Sequence, residues 1–252
     1  ADNACGAAGV GAITRGEAVS SWGTSGTVLA PTAEPRVDPK LRAHTFCHVA
    51  PGVWYVIGVV LSAGGAFAWF RDQCARELPE DERDERLVAE AAIIPAGADG
   101  VTFLPYLQGE RTPHRDASLR AAFTGLSLAH SRAHMTRAVL EGVCFALRDS
   151  LEILKELGLT PAHLLLTGGG AKSAFIRQLQ ADIFGLPVTT VNREEGGAYG
   201  AALLAAVGTG AFPDLMTAAQ RTLTRQALSP PNPEMHRAYD PIYRRFHRSL
   251  LR

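Results

Sequence analysis

Leu164-Leu165-Leu166-Thr167-Gly168-Gly169-Gly170 is the stretch on which the fold class turns. So short an apolar run predicts a buried strand, and three glycines end it at once. Beyond them, Ser173 to Phe184 carries helical periodicity. Strand, glycine loop and helix in that order form a ligand-binding arrangement. Loop N–H groups and the positive end of the helix favour an anion or the polar edge of a nucleotide there. The spacing G-x-G-x-x-G is absent at this place, and no Walker A lysine pattern occurs in the chain, which argues against a dehydrogenase or a P-loop enzyme.

The same alternation continues on both sides and predicts an α/β chain. Downstream, residues 187–191 read as a strand, and Gly196-Gly197-Ala198-Tyr199-Gly200 opens a small-residue helix through Val207. Residues 235–252 read as a basic helix that packs at the end of the chain. Upstream, Met135, Val139, Val143, Leu147, Leu151 and Leu154 recur every three or four residues, so 130–157 is predicted to be one long helix with a single buried stripe and Gly158 behind its C-terminus. Residues 101–107 and 53–61 read as strands, and 63–74 as a helix. The charged run 78–86 reads as a solvated helix face or loop. Near the start, 18–21 and 27–30 form a hairpin around Trp22-Gly23-Thr24-Ser25-Gly26. Its glycines and hydroxyls could cradle phosphates, although two glycines at a hairpin tip are by themselves only a turn.

Composition narrows the function classes. Lys plus Arg and Asp plus Glu both number 25, so the net charge is zero, and nucleic acid is not an expected partner. Cys5, Cys47, Cys74 and Cys144 are scattered, without zinc spacing or a disulfide framework, which fits a reducing cytoplasm. No apolar run reaches the roughly 20 residues that cross a bilayer. His44, His48, His114 and His134 show no metal-ligand spacing, and core or surface roles explain them.

Residues 121–141, with Phe123, Gly125, Leu126, His134, Met135, Ala138, Val139, Leu140 and Glu141, resemble the C-terminal signature of the FGGY carbohydrate kinases. Phe103-Leu104-Pro105-Tyr106-Leu107, Gly109-Glu110-Arg111-Thr112-Pro113, Gly23-Thr24-Ser25-Gly26 and the triple glycine follow the family's order. Together these segments cover nearly the whole chain. Asp2-Asn3-Ala4 and His44-Thr45-Phe46-Cys47-His48 are most similar to members that phosphorylate xylulose.

The resemblance implies an α/β domain of the ribonuclease H-like class, shared with actin, hexokinase and the Hsp70 ATPase, with a mixed sheet flanked by helices. Two such domains clasp ATP, and this chain would be the second, ATP-binding one, with 1–229 as its body and 230–252 as its helical packing segment. The family's first strand, ending in Asp-x-Gly-Thr, and much of its sugar pocket are not found, so the sugar-binding partner domain is expected to be missing and the chain alone to be inactive. Gly23, Thr24, Ser25 and Gly26 would hold the β- and γ-phosphates, and Gly64 would lie near the nucleotide. Gly169, Gly170 and Ser173 would form the adenosine turn, with Ser173 where some members carry asparagine. Asn3 is a candidate sugar contact. Ala1 stands where the family has glycine.

Asp2 would be the general base that takes the proton of the sugar hydroxyl; without the resemblance, it reads as a helix N-cap ahead of Ala4. Mg2+ would arrive with ATP, held by phosphates and one or two carboxylates. Glu110 and Arg111 read either as a nucleotide or domain-closing pair or, at least as readily, as a surface or interdomain salt bridge, and no catalytic role is assigned to them. Gluconate, ribulose, rhamnulose and glycerol remain open as acceptors, as does a non-catalytic nucleotide-binding remnant. The face left uncovered is expected to drive association, a homodimer included.

Overall fold

The computed structural model describes residues 2–193 and 196–250. In chain order, the elements are α1 (Asp2–Gly9), β1 (Glu17–Trp22), β2 (Gly26–Thr32), β3 (His44–Cys47), β4 (Trp54–Val60), α2 (Gly64–Cys74), α3 (Arg83–Ala92), β5 (Thr102–Leu104), β6 (Ala122–Thr124), α4 (Arg132–Glu156), β7 (His163–Gly168), α5 (Ala174–Phe184), β8 (Val188–Val191), α6 (Gly196–Gly208), α7 (Leu215–Thr222), β9 (Arg225–Ser229) and α8 (Pro233–Ser249). Ala1 and its comparison with the family's glycine fall outside the described residues, as do the last two residues of the expected C-terminal helix.

One mixed sheet runs β3-β4-β2-β1-β7-β8-β9, with β1 antiparallel to β2 and parallel to β7. Alternation along the strands sorts the side chains into two layers. Ala18, Val28, Val56, Leu164 and Leu166 face the larger core beneath α2, α4 and α5. Val19, Leu29, Ile57 and Leu165 face Ala4, Ala7 and Val10 of α1 and the loop behind it. Helix α1 is covered in turn by α6 and α7, through Ala8, Leu203, Leu215 and Ala218.

Three expectations are adjusted. Helix α4 has no single stripe: residues 136–151 are all buried, because α2, α3, α5, α8 and β5 surround it. Its charged residues are therefore paired internally. Glu141 takes Arg137 Nε at 2.7 Å, Tyr239 Oη at 3.1 Å and the Gly97 N–H at 3.0 Å. The expected strand 101–107 shrinks to Thr102–Leu104, since Pro105 has no N–H to continue the ladder with β6. Helix α8 starts two residues early, with Pro233 at its first turn and the Asn232 side chain capping Glu234 and Met235.

Candidate functional site

Strand β1 ends at Trp22, which is paired on one side with Gly26 and on the other with Gly168. The hairpin tip and the triple glycine are thus neighbours at one end of the sheet. Trp22 lies beneath both, 3% exposed. A Cβ on Gly170 would stand 2.7 Å from its ring, and one on Gly64 would stand 3.3 Å from its Cδ1. Sequence reasoning missed this residue as a common floor; the signal was a lone tryptophan joined directly to Gly23-Thr24-Ser25-Gly26.

The tip is held from behind by the start of α2. Ala63, Gly64 and Gly65 donate their N–H groups to Thr24 O at 3.0 Å, Gly23 O at 2.8 Å and Thr24 O at 2.9 Å. Glycine is needed at both α2 positions, because a Cβ would come within 2.6 Å of Gly23 O or 2.9 Å of Thr24 O. A trans peptide points its N–H opposite to its C=O. With the Gly23 and Thr24 carbonyls drawn toward α2, the N–H groups of Thr24 and Ser25 turn outward. Both residues are exposed, and their hydroxyls have no partner among the described residues. Two N–H groups and two hydroxyls facing solvent make a donor surface suited to an anion.

The triple glycine divides by role. Gly168 has φ +85°, and a Cβ there would lie 2.5 Å from Trp22 O, so packing and backbone both demand glycine. Gly170 is buried against the Trp22 ring. Gly169 is exposed, and the nearest atom to a Cβ would be 3.9 Å away. Nothing in the fold requires glycine at 169. The Ser173 Oγ accepts the Ile176 N–H at 3.3 Å as the cap of α5, and Arg177 Nη1 donates to Ala171 O and Lys172 O to fix the turn between them. The loop thus offers an unobstructed backbone surface beside the hairpin tip, which fits a nucleotide.

Asp2 and Asn3 lie on the exposed first turn of α1, which packs on the opposite face of the sheet from α2. Asp2 Oδ1 accepts the Asn3 N–H at 2.9 Å and Asn3 Nδ2 at 3.3 Å. Burial, and after it the Asp2 charge, push the Tyr55 phenol up. The structure brings Gly23, Thr24, Ser25, Gly26, Gly64, Gly169, Gly170 and Ser173 to one end of the sheet, while the contacts of Asp2 and Asn3 are with each other and with the α1 layer. Among the described residues no group of three or more His, Cys, Asp and Glu could hold a metal ion, and no helix is long and apolar enough to cross a membrane.

Glu110 departs from its expectation. It is buried rather than paired at the surface, and its Oε1 accepts the N–H groups of Leu61 at 2.9 Å and Arg111 at 2.7 Å. Burial pushes its carboxyl up to about 7, with those two donors opposing and the Asp149 charge adding. Its polar surroundings in sequence hid this, because the Leu61 partner is 49 residues away.

Residues 18–209 match the family model described as the FGGY family of carbohydrate kinases, C-terminal domain. A xylulose kinase of Bacillus subtilis (strain 168) is 39% identical over 243 residues, 96% of this chain and 48% of that protein. A gluconokinase of Bacillus licheniformis is 36% identical over 212 residues, 80% of this chain and 40% of that one. The crystal structure of a xylulose kinase from Rhodospirillum rubrum superimposes with a TM-score of 0.87 at 32% identity, covering 98% of this chain and 49% of that chain. The chain spans about half the length of the curated relatives it matches. The sheet and its flanking helices are those of the ribonuclease H-like class that includes actin, hexokinase and the Hsp70 ATPase.

Proposed function

We propose, from the premise that this chain belongs to the FGGY family of carbohydrate kinases as its C-terminal domain, that it is the nucleotide-binding half of an ATP-dependent kinase whose acceptor is xylulose. The observation that carries the nucleotide half is the end of the sheet, where outward N–H groups of the hairpin tip adjoin a glycine that packing leaves free. The outward donors of Thr24 and Ser25 hold the β- and γ-phosphates, with Gly23, Gly26 and Gly64 giving the tip its shape. Gly169 and Gly170 receive the adenosine, and Ser173 anchors the helix behind it. ATP would supply the phosphoryl group, and Mg2+ arriving with it would neutralise phosphate charge.

Asp2 accepts the proton of the attacking sugar hydroxyl, and Asn3 contacts the sugar. An exposed carboxylate at the head of α1 is free to meet a substrate held between two domains, and a proton need move only as the alcohol develops charge. The two-domain arrangement, with 1–229 and 230–252 forming one unit and a sugar-binding domain completing the cleft, rests on relatives about twice as long as this chain. The xylulose assignment rests on the relatives of that name; the gluconokinase relative keeps gluconate as the second reading.

Calorimetric titration of the chain with Mg-ATP, beside a Gly169→Asp variant, tests the nucleotide half. Binding that the variant loses is the expected result. Equal binding by both forms would remove the adenosine turn from the site. A two-domain protein carrying this sequence, assayed with a sugar panel, should prefer xylulose; preference for gluconate would transfer the assignment to the second reading. In that protein, Asp2→Asn should lower kcat by at least about a hundredfold while leaving nucleotide affinity unchanged.

A further inference from the structure

Among the described residues, Gly58 to Val60 of β4 have no strand on their outer side. Strand β3 pairs only with Trp54 to Ile57, while β4 continues toward Leu61 and the start of α2. The segment Glu110-Arg111-Thr112 takes the vacant place, largely with side chains. Thr112 donates its N–H to Val59 O at 3.0 Å, its Oγ1 accepts the Val59 N–H at 2.9 Å, and the same hydroxyl donates to Arg42 O at 2.7 Å. Glu110 Oε1 then takes Leu61. The segment is closed on itself by paired backbone bonds of 2.9 Å between Glu110 and Asp116.

Two residues beyond Leu61, Ala63, Gly64 and Gly65 grip the carbonyls of the hairpin tip. Glu110 therefore holds the chain just before the element that turns the Thr24 and Ser25 donors outward. Its other oxygen, Oε2, is buried without a partner among the described residues, in a residue 2% exposed. A glutamate chosen for stability alone would be poorly chosen here, since an unpartnered buried carboxylate oxygen costs free energy that an apolar residue would not. What the side chain supplies is an acceptor oxygen at Oε1 for the Leu61 and Arg111 N–H groups, which an apolar residue lacks.

We infer that Glu110 is a positioning residue for the phosphate-binding hairpin: it fixes Leu61, and through Ala63, Gly64 and Gly65 it sets the orientation of the Gly23 and Thr24 peptides. It touches neither nucleotide nor sugar. The inference rests on the nucleotide reading above for its consequence, and on the hydrogen-bond path alone for its mechanism.

The test combines amide exchange with nucleotide titration on the full chain. Glu110→Ala should speed exchange at Leu61, Ala63, Gly64 and Gly65 while amides of α4, such as Val143 and Leu147, stay protected. It should weaken Mg-ADP binding about tenfold or more. Glu110→Gln keeps an acceptor at Oε1 and should restore both readouts. Should the alanine variant fail to fold, Glu110→Asp serves instead: its carboxylate is one methylene short of Leu61, and it should behave as alanine does. Unchanged exchange at Ala63, Gly64 and Gly65, or unchanged affinity despite faster exchange, would overturn the inference. Absence of binding by the unaltered chain would count against the nucleotide reading, and the exchange rates would still decide whether Glu110 sets the turn.

Discussion

Glycines serve opposite purposes at two places in this molecule. Where α1 crosses α6, Gly9 and Gly200 let the two backbones touch: a Cβ on Gly9 would overlap the Gly196 carbonyl, and one on Gly200 would overlap that of Cys5. At the end of the sheet, Gly169 is exposed with space around it. The first kind is explained by the fold. The second is not required by the fold, and the proposal that the sheet end is a site gives it a purpose.

The largest effect is expected at the crossing. Gly200→Ala forces a methyl into a backbone carbonyl that no side-chain rotation can relieve, so it should cost about 3 kcal/mol or more in chemical denaturation. A loss below about 0.5 kcal/mol would mean that α1 and α6 can part without penalty, and the contrast between the two glycine sets would fail.

Buried carboxylates divide in a parallel way. Glu141 is satisfied by Arg137, Tyr239 and Gly97, whereas Glu110 keeps one oxygen unpartnered among the described residues. The Glu110 carboxyl is raised from 4.5 to about 7, so between those values the folded chain holds a proton that the unfolded chain has released. Its contribution to stability is therefore complete below about pH 4.5 and is lost as pH rises through about 7, a change of roughly 3 kcal/mol. Glu110→Gln should lack that change. Subtracting the variant's stability profile from that of the unaltered chain removes the other groups that titrate nearby, among them His48 and His114, both pushed down mainly by burial. A flat difference between pH 4.5 and 7 would show that Glu110 ionises as it does in water.

Gly170→Ala falls between the two glycine classes. Its methyl would meet the Trp22 side chain rather than a carbonyl, 2.7 Å from Cγ and 2.9 Å from Cβ, so the buried ring must move to admit it. About 1–2 kcal/mol of stability should be lost, with weaker nucleotide binding because Trp22 also floors the hairpin tip. A stability loss with affinity untouched would separate Trp22 from the site.

What the sequence showed and hid follows the same division. The hairpin, β7, the triple glycine, α5 and the long α4 were legible because period and glycine placement are local signals. Strands β3 and β9 and helix α7 were not: β3 is a four-residue edge strand, β9 is largely exposed and carries little alternation, and α7 is only two turns long. In the candidate site, residue identities came from motif order, but the roles within Gly168-Gly169-Gly170 could not. Three identical letters carry no information about which of them faces Trp22. Nor could composition reveal that a glutamate in a polar run caps a strand 49 residues away.

The smallest expected effect on stability is the most informative about function. Gly169 has no positive φ, and a Cβ placed on it would have no neighbour nearer than 3.9 Å, so Gly169→Ala should leave stability within about 0.5 kcal/mol of the unaltered chain. Fold and ligand then make separable demands on one position. If the methyl weakens Mg-ATP binding in calorimetry while denaturation is unchanged, glycine stands there for the nucleotide, whose backbone approach a side chain would obstruct. If both are unchanged, the space at 169 is wider than a nucleotide needs, and the larger Gly169→Asp substitution, which adds a negative charge beside the expected phosphates, measures how wide.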